Sequence, residues 1–374
     1  MRFGNAAKNV SLMAASVVFS LFMAEVLFFV LGASTLQHDS SSYRRADEVF
    51  HHGFIPNSSG VFRSAEWDVS YSINSLGFRD IEYGAVKPQN TFRILMVGDS
   101  YTEGYGVESA DSFPKQLESM LNNGSAGKKY EVISAGVGSY SPILEYLLLK
   151  YRGIQLNPDL VILNFDWSDP FDDYDYSKLA VRNNADVIAV TRQPQENKSS
   201  FAKLRNFMSK RSYIYQFFAQ KFAATTSPIV PGDREKDRLI FLRDNLTDSD
   251  YDALFGNSAP YLVKIKDMLK QQNISFVIHT YPYAVQVSTE AWKSGRQTFF
   301  FSGDTLSPAK PFSVVEEFGR ENNITVISSY SHFKAAQSPE QLYFDYDGHF
   351  TPAGHRLAAR ALYEFIENST KLDN

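Results

Sequence analysis

Short apolar runs alternate with helix-like segments over most of this chain, and that alternation limits the folds it can adopt. Each run is nearly continuous in apolar residues, as in strands that are buried on both faces of a sheet. The helical segments between the runs supply the crossovers that parallel strands need. The pattern predicts an α/β fold in which helices cover both faces of a parallel sheet. The strand candidates are 93–97, 130–134, 160–165, 275–281 and 325–328, and the helix candidates are 113–121, 141–153, 259–272, 312–322 and 351–368.

A serine follows the first of these strand candidates. Residues 93–97 read Arg-Ile-Leu-Met-Val, and Gly98, Asp99 and Ser100 come next, followed by a glycine-punctuated loop and a helix start. In open parallel sheets, ligands bind at the carboxyl ends of the strands. Ser100 is therefore a candidate nucleophile, although the tripeptide alone is a weak signal.

Composition excludes several classes of function. Cysteine is absent, which rules out disulfides, thiolate metal sites and a cysteine nucleophile. The formal net charge of −5 provides no basic surface for nucleic acid, so we expect no nucleic-acid partner.

The amino-terminal segment is long and apolar. Residues 10–33 contain only one charged residue, Glu25, and a helix needs about twenty residues to cross a bilayer. Arg2 and Lys8 precede the segment, and no basic residue follows it until Arg44. This asymmetry predicts an uncleaved, single-pass membrane anchor with a cytoplasmic amino terminus and an exported body. A cleaved signal peptide is the alternative, although its apolar core is usually about 7–15 residues long.

A candidate base and acid for Ser100 lie near the carboxyl terminus. His349 follows Asp347 and Gly348, just before the helix start at Thr351. The glycine allows a tight turn in which Asp347 reaches one ring nitrogen and leaves the other to face Ser100. A surface ion pair is the alternative interpretation of this histidine and aspartate.

Together, the early Gly98, Asp99 and Ser100 and the late Asp347 and His349 resemble the SGNH/GDSL hydrolase family. The resemblance covers about residues 92–367 and implies that Ser100 is the nucleophile of a Ser-His-Asp triad with His349 and Asp347. The lead-in segment that reads Gly-Phe-Arg-Asp at 77–80 resembles that of membrane-anchored bacterial members.

The acid of this triad departs from the usual family spacing. Many members have two residues between the aspartate and the histidine, which would place Tyr346 in the position of the acid. We therefore expect Asp347 to serve with one intervening residue, and Asp345 is the alternative acid.

The resemblance also implies oxyanion-binding groups. Residues 134–140 resemble the glycine-containing oxyanion loop, in which Gly138 is followed by Ser139 at the usual glycine position. Ser168 stands where the family has an asparagine, so its hydroxyl or the upstream Asn164 is expected to donate instead. The backbone N–H of Ser100 would complete the set.

An acid-rich run follows the third strand candidate. It is typical of a solvated loop, and a hard-cation site is the alternative, although the ordered spacing of a calcium loop is missing. The residues are Asp166, Asp169, Asp172, Asp173 and Asp175.

These observations predict a flavodoxin-like three-layer sandwich with a parallel sheet, an amino-terminal transmembrane helix and an inserted cap segment. The expected organisation is a membrane anchor with a short cytoplasmic tail over 1–36, a lead-in or linker over 37–90 with a short β-region at about 67–73, and an SGNH-type domain over 91–370. A partial cap is expected at about 172–250, and Arg79 is expected to be exposed and to pair with an acid.

The resemblance implies a serine esterase, without metal or cofactor, that acts on O-acyl esters, O-acetyl above all, of envelope or exported carbohydrate. Its expected partners are an acylated carbohydrate or lipid-like ester, the membrane through the amino-terminal helix, and a membrane-embedded acyltransferase. The catalytic domain would lie in the periplasm or at the cell surface. The alternatives are an O-acyltransferase on polysaccharide and a non-catalytic binding or assembly protein on the same scaffold.

Overall fold

A computed structural model describes most of the chain and divides it into two compact units. One unit comprises residues 1–38, 63–65 and 194–230, and the other comprises 39–62, 66–193 and 231–374. The residues described are 2–30, 40–64, 66–84, 86–124, 128–192, 212, 214, 238–242, 246–298, 307–336 and 340–372.

A parallel five-stranded sheet lies at the centre of the larger unit. Its order is β6-β5-β7-β10-β11, which is the 2-1-3-4-5 order of flavodoxin-like folds when these strands are numbered along the chain. The predicted α/β class and parallel sheet are therefore confirmed. The strands are β1 (Arg44–Asp47), β2 (His51–Phe54), β3 (Ser59–Arg63), β4 (Asp68–Ser72), β5 (Thr91–Gly98), β6 (Lys129–Ser134), β7 (Leu160–Phe165), β8 (Ala180–Asn183), β9 (Asp186–Val190), β10 (Ser275–Thr280) and β11 (Thr325–Ser328).

Helices cover this sheet. α3 packs on β6 and against α12, whereas α4 packs against α7, and α10 packs on β11. Right-handed crossovers place α3 on one face and α4, α7 and α10 on the other. The helices are α1 (Arg2–Val30), α2 (Ser100–Glu103), α3 (Phe113–Gly124), α4 (Pro142–Leu148), α5 (Asp169–Leu179), α6 (Asp248–Phe255), α7 (Ala259–Gln271), α8 (Ala284–Val287), α9 (Lys293–Thr298), α10 (Lys310–Asn322), α11 (Tyr330–Ala335) and α12 (Pro352–Leu372), with a π-helical turn at Leu149–Gly153 and short 3-10 turns at Ser40–Ser42, Ser109–Asp111, Ile154–Leu156 and Ile240–Leu242.

The central strands are apolar because both of their faces are covered. Every residue of β7 is buried, and so are the last six residues of β5. One charged side chain lies among them: Arg93 is fully buried, and its guanidinium is paired with Glu131 at 2.7 Å and bonded to the carbonyl of Leu156 at 2.6 Å. All five strand candidates of the sequence are strands of this one parallel sheet.

The amino-terminal segment is helical over Arg2–Val30. In the part of the chain that the structure describes, no helix is both long and apolar enough to cross a membrane. The predicted transmembrane helix is therefore not confirmed, and residues 31–39 lie outside the described ranges. Within this smaller unit, the Glu25 carboxylate accepts hydrogen bonds from the Ser212 hydroxyl and from the Ile214 backbone N–H.

The lead-in over 37–90 is more ordered than the linker that we expected, and the short β-region predicted at about 67–73 corresponds to β4. This lead-in forms two β-ribbons, β1–β2 and β3–β4, whose aromatic side chains are buried in the core of the larger unit. Tyr43 and Tyr71 stack with ring centroids 4.5 Å apart and are almost fully buried. Scattered polar residues concealed these aromatics in the sequence, and burial of such rings is what orders the segment.

Arg79 of the lead-in is buried, whereas we expected it to be exposed. Its guanidinium donates to backbone carbonyls and not to an acid, and it lies 3.8 Å from the centre of the Tyr71 ring. The accepting carbonyls belong to Glu103, Gly104, Ser70 and Val107. These hydrogen bonds join the lead-in to the main domain.

The predicted insertion is only partly within the described residues. Its first part is α5 followed by the antiparallel ribbon β8–β9, and its last part includes α6. Most of the expected cap, 193–237, lies outside the described ranges apart from residues 212 and 214. The acid-rich run is not the solvated loop that we expected, because α5 begins at Asp169 and most of these carboxylates are buried.

Candidate active site

The end of β5 presents Ser100 at the edge of the sheet. Gly98 has a φ of +157°, and a Cβ there would lie 2.1 Å from the Thr102 hydroxyl, so only glycine fits. Asp99 caps the short helix α2 by accepting a hydrogen bond from the Tyr101 N–H at 2.9 Å. Ser100 is the first helical residue, where a backbone N–H has no acceptor within the helix.

Ser100, His349 and Asp347 lie together. The Ser100 Oγ is 2.7 Å from His349 Nε2, and His349 Nδ1 forms a short hydrogen bond with Asp347 Oδ1. Gly348 between the acid and the base has a φ of +89°, a conformation that favours glycine. The proximity expected from the sequence is observed across 249 residues of chain.

Other contacts hold the loop that carries the acid and the base. The Glu66 carboxylate accepts the backbone N–H groups of Tyr346 and Asp347 at 3.0 and 2.9 Å. Trp292 Nε1 donates to the carbonyl of Tyr346 at 3.0 Å. The alternative acid, Asp345, accepts a hydrogen bond from the Ser294 hydroxyl at 2.7 Å, so its carboxylate is directed to α9 and not to the imidazole.

The acid and the base favour each other's charged forms. Burial disfavours the Asp347 carboxylate, but the neighbouring His349 dominates and holds the pKa of Asp347 below its usual value. Burial likewise disfavours the imidazolium, yet Asp347, with smaller contributions from Asp99 and Asp166, raises the pKa of His349. Because the carboxylate accepts from Nδ1, the neutral imidazole presents a lone pair at Nε2 to the Ser100 hydroxyl.

Two tyrosine rings flank the imidazole of His349. The ring centroids of Tyr101 and Tyr105 are each 4.7 Å from that of His349, at interplanar angles of 34° and 35°. The Tyr101 hydroxyl also donates to the carbonyl of Gly348 at 3.2 Å. The base is therefore held by packing as well as by its hydrogen bonds.

The loop after β6 runs beside Ser100. A Cβ on Gly138 would lie 3.8 Å from the Cβ of Ser100. The Gly138 N–H, however, donates to Glu103 Oε2 at 2.7 Å, so the expectation that it binds an oxyanion was wrong. Ser139 lines the same cavity as Ser100 and has a φ of +65°. Its backbone N–H makes no hydrogen bond to the described part of the protein and is the available donor of this loop.

Of the two candidate side-chain donors, the structure places one in the cavity. Ser168 lines it, and its hydroxyl makes no hydrogen bond within the described ranges. Asn164 is fully buried: its Nδ2 donates to the Val97 carbonyl at 2.8 Å, and its Oδ1 is 2.9 Å from His279 Nδ1. The expectation that Asn164 binds an oxyanion was therefore wrong, because its amide links β7 to β5 and β10.

The cavity around Ser100 has a volume of about 510 Å³ and is flanked by two arginines. Arg44 is paired with Glu103, and Arg238 is paired with Asp172. Glu103 is buried and also accepts from the Tyr71 hydroxyl at 2.7 Å. Sequence reasoning missed these residues, since pairs so far apart in the chain leave no local pattern.

Buried carboxyl groups lie near the carboxyl ends of β5 and β7. Burial and the neighbouring Asp166 raise the pKa of Asp99 to about 7, and burial raises the pKa of Asp173 to about 7. Burial and nearby acids raise the pKa values of Glu145 and Asp169 well above the usual range. In the residues that the structure describes, no group of three or more histidine and acidic side chains could hold a metal ion.

Comparison with known proteins identified one family. A family model described as an SGNH hydrolase-like domain, acetyltransferase AlgX, matches residues 235–374. The matched segment contains Asp347 and His349 but not Ser100. The SGNH/GDSL resemblance predicted from the sequence is thereby confirmed, while the membrane-anchored bacterial type stays a prediction. A search of curated proteins returned no match.

Solved structures with similarity to this chain include carbohydrate esterases. The acetyl xylan esterase AlAXEase is 14% identical with a TM-score of 0.39, covering 74% of this chain and 100% of its own. A catalytic mutant of Axe2, an acetylxylan esterase from Geobacillus stearothermophilus, is 14% identical with a TM-score of 0.38, covering 74% of this chain and 94% of its own. Scores this low carry no argument about this chain.

Proposed function

Starting from the SGNH hydrolase-like domain that the chain carries, we propose that it transfers acyl groups, acetyl above all, from carbohydrate esters through Ser100. The observation that carries the proposal is the 2.7 Å contact between Ser100 Oγ and His349 Nε2, with His349 bonded in turn to Asp347. A serine hydroxyl becomes nucleophilic when an oriented imidazole can take its proton.

The proposed reaction begins with attack of Ser100 Oγ on the ester carbonyl carbon as its proton moves to His349 Nε2. Asp347 stabilises the imidazolium that forms. The developing oxyanion would accept hydrogen bonds from the backbone N–H groups of Ser100 and Ser139 and from the Ser168 hydroxyl. Collapse breaks the ester bond, and the sugar oxygen leaves with the proton from His349, which produces an acyl-serine.

A second nucleophile then resolves the acyl-serine. If water attacks, one of its protons passes to His349 and then to the departing Ser100 Oγ, the free acid leaves, and the enzyme is an esterase. If a sugar hydroxyl attacks, the same steps form a new ester and the enzyme is an O-acyltransferase. The description of the matching family as an acetyltransferase favours this second candidate. We therefore propose, as the alternative to hydrolysis, that the same site transfers acetyl groups to polysaccharide.

The non-catalytic alternative depended on the loss of oxyanion donors. Replacement of the family asparagine by Ser168 still leaves a hydroxyl in the cavity, and Ser139 retains a backbone donor. Both observations support turnover. We further propose an exported domain with a membrane-embedded acyltransferase as partner, on the basis of the amino-terminal sequence.

The experiment is labelling of the full chain with a fluorophosphonate, together with steady-state hydrolysis of acetylated xylo-oligosaccharide. We expect labelling of the wild type and its loss in Ser100→Ala and His349→Ala, with kcat reduced by roughly 10⁶-fold in both. Ser119→Ala removes an exposed serine hydroxyl on α3 and should react as the wild type does.

Absence of labelling in a folded wild-type protein would refute the proposal and would favour the alternative, a non-catalytic binding protein. Addition of a deacetylated polysaccharide distinguishes the two enzymatic outcomes: acetate release indicates an esterase, and acetyl groups on the polymer indicate a transferase.

A further inference from the structure

A histidine of the lead-in forms a hydrogen bond with the peptide unit that joins Gly138 to Ser139, beside Ser100. His52 Nε2 lies 2.8 Å from the carbonyl oxygen of Gly138. That carbonyl belongs to the same planar peptide unit as the N–H of Ser139. In a trans peptide, the C=O and N–H bonds point in opposite directions. The hydrogen bond to His52 therefore turns the Ser139 N–H away from His52.

The protonation states of His52 follow from its partners. A carbonyl oxygen only accepts, so His52 Nε2 carries a hydrogen. Its Nδ1 is 2.9 Å from Nδ1 of His51, and a neutral His52 must accept there while His51 donates. His51 has a φ of +62°, in the left-handed region, and the rings of His51 and His52 meet nearly perpendicularly.

The surroundings keep His52 neutral. Burial lowers the pKa of His52, Arg44 and Arg192 lower it further, and the Gly138 carbonyl and Glu103 oppose them. The rings of Tyr140 and Tyr176 pack against the imidazole, with centroids 5.2 and 6.4 Å away. The groups that face His52 are Arg44 on β1, His51 on β2, Glu103 on α2, Tyr140 after β6, Tyr176 on α5 and Arg192 after β9.

The peptide unit before Gly138 is fixed as well. The Gly138 N–H donates to Glu103, and the carbonyl of Ser139 accepts from the Tyr176 hydroxyl at 3.1 Å. With those two groups engaged and the Gly138 carbonyl bound to His52, the Ser139 N–H is the donor of this turn that remains for a ligand.

We propose that His52 is the positioning residue of the oxyanion site: its Nε2–H holds the Gly138 carbonyl so that the Ser139 N–H faces the acyl group attacked by Ser100. This inference rests on the proposed function. His52 does not touch the substrate. Its hydrogen bond also polarises the peptide unit, which makes the N–H a stronger donor to developing negative charge.

The first test separates donation from packing with matched variants. His52→Gln can place an amide N–H near the Gly138 carbonyl, whereas His52→Leu fills the space without a donor. With an acetyl ester substrate, we expect His52→Leu to lower kcat by about 10- to 100-fold with KM little changed, since an oxyanion donor acts in the transition state. His52→Gln should recover most of kcat. His332→Leu, a histidine replacement on α11 beside Glu364, serves as the control.

Equal losses in the Gln and Leu variants would overturn the inference, as would an unchanged kcat in a folded His52→Leu protein.

The second test does not depend on catalysis. Nitrogen-15 NMR of the histidine rings in the wild-type full chain should show His52 as the Nε2–H tautomer, assigned by its disappearance in His52→Gln. An Nδ1–H tautomer would overturn the inference whether or not Ser100 is reactive. Failure of fluorophosphonate labelling with the Nε2–H tautomer present would refute the proposed function alone.

Discussion

Ser139 illustrates how a residue can change while its chemical contribution stays. The family usually has glycine here, and the φ of +65° explains why, since this region costs a residue with a Cβ about 1–2 kcal/mol. Ser139 keeps this strained conformation because hydrogen bonds hold the neighbouring peptide groups. In the proposed site the donor is the backbone N–H, which serine and glycine share, so the substitution should leave the site able to bind an oxyanion.

Asp347 sets the pH at which the base is available. The imidazole of His349 must be neutral to take a proton, and Asp347 raises the pKa of His349, so activity should fall as the pH drops through that raised value. In Asp347→Asn the main cause of the shift is removed, and the acidic limb of kcat/KM should move to lower pH. The kcat itself should fall by roughly 10⁴-fold, because the imidazole loses the acceptor that selects its tautomer.

Measurement of kcat/KM against pH for the wild type and Asp347→Asn checks this prediction. Asp345→Asn is the matched control, because that carboxylate bonds Ser294 and not the imidazole. An acidic limb at the same pH in Asp347→Asn and the wild type would show that another group controls His349.

At the scale of elements, helix α4 depends on α5 for its start. Ser141 and Pro142 predict a helix start, and α4 does begin at Pro142. The cap, however, comes from another element: Asp173 on α5 accepts from the Ser141 hydroxyl at 2.7 Å and from the Ile143 N–H at 2.9 Å. The two helices pack together, and this brings buried acids into proximity.

The packing of α4 against α5 buries Glu145 of α4 in an unfavourable environment for a carboxylate. It is fully buried, and neither carboxylate oxygen has a hydrogen-bond partner in the described part of the chain. Burial and the neighbouring Asp173 raise the pKa of Glu145. A raised pKa in the folded state means that stability falls as the pH rises above the unfolded value toward the folded one.

Glu145→Gln should therefore raise Tm, and by more at pH 8 than at pH 5, where the native carboxyl is already protonated. A gain of a few degrees at pH 8 is expected, since about 1 kcal/mol shifts Tm by roughly 2–4 °C in a domain of this size. Thermal unfolding by circular dichroism at both pH values measures it. Glu321→Gln makes the same change on the exposed face of α10 and should have little effect, and a lower Tm in Glu145→Gln at pH 8 would contradict the prediction.

For the whole molecule, the lead-in and the α/β unit form one structure. The lead-in supplies Arg44 beside Ser100, His52 behind the Gly138 carbonyl and Glu66 beneath the Asp347 loop. Residues that a linear reading assigns to a linker therefore form one side of the site. The lead-in and the domain should unfold in one transition.

Arg79 tests this linkage. Its guanidinium bonds four backbone carbonyls drawn from both segments, and Arg79→Met would remove all of these hydrogen bonds, although the Gly104 carbonyl would keep another donor, the Val107 N–H. We expect a loss of more than about 3 kcal/mol in the free energy of unfolding, because each orphaned buried group costs about 1–3 kcal/mol. Urea denaturation gives the value. Arg320→Met, at an exposed ion pair with Glu317, should change it by less than about 1 kcal/mol. Equal effects of the two substitutions would mean that Arg79 does not join the segments.

The sheet and the Ser100, Asp347 and His349 cluster were predictable because their signals are local. A buried parallel strand is apolar along its whole length, and a nucleophile or a base lies in a short, glycine-marked turn. Once the strand order is known, the right-handed crossover rule fixes the face of the sheet that each helix covers.

The roles of Asn164 and Gly138 could not be predicted in the same way. Which atom of a residue faces a cavity depends on partners far along the chain: Val97 and His279 engage the Asn164 amide, and Glu103 engages the Gly138 N–H. No periodicity encodes such polar contacts. The position of a motif in the sequence therefore identifies the loop that lies beside Ser100. Only the three-dimensional contacts show which N–H group of that loop is free to donate to an oxyanion.

The tyrosine rings beside His349 also bear on the rate of turnover. A histidine on an open surface samples several rotamers, and aligning it for proton transfer costs conformational entropy in every catalytic cycle. The rings of Tyr101 and Tyr105 pack against the imidazole and restrict its rotation, so part of this ordering is achieved when the chain folds. When the substrate binds, His349 is already aligned with the Ser100 hydroxyl. The binding energy of the substrate can therefore be used to orient the ester and not to order the base.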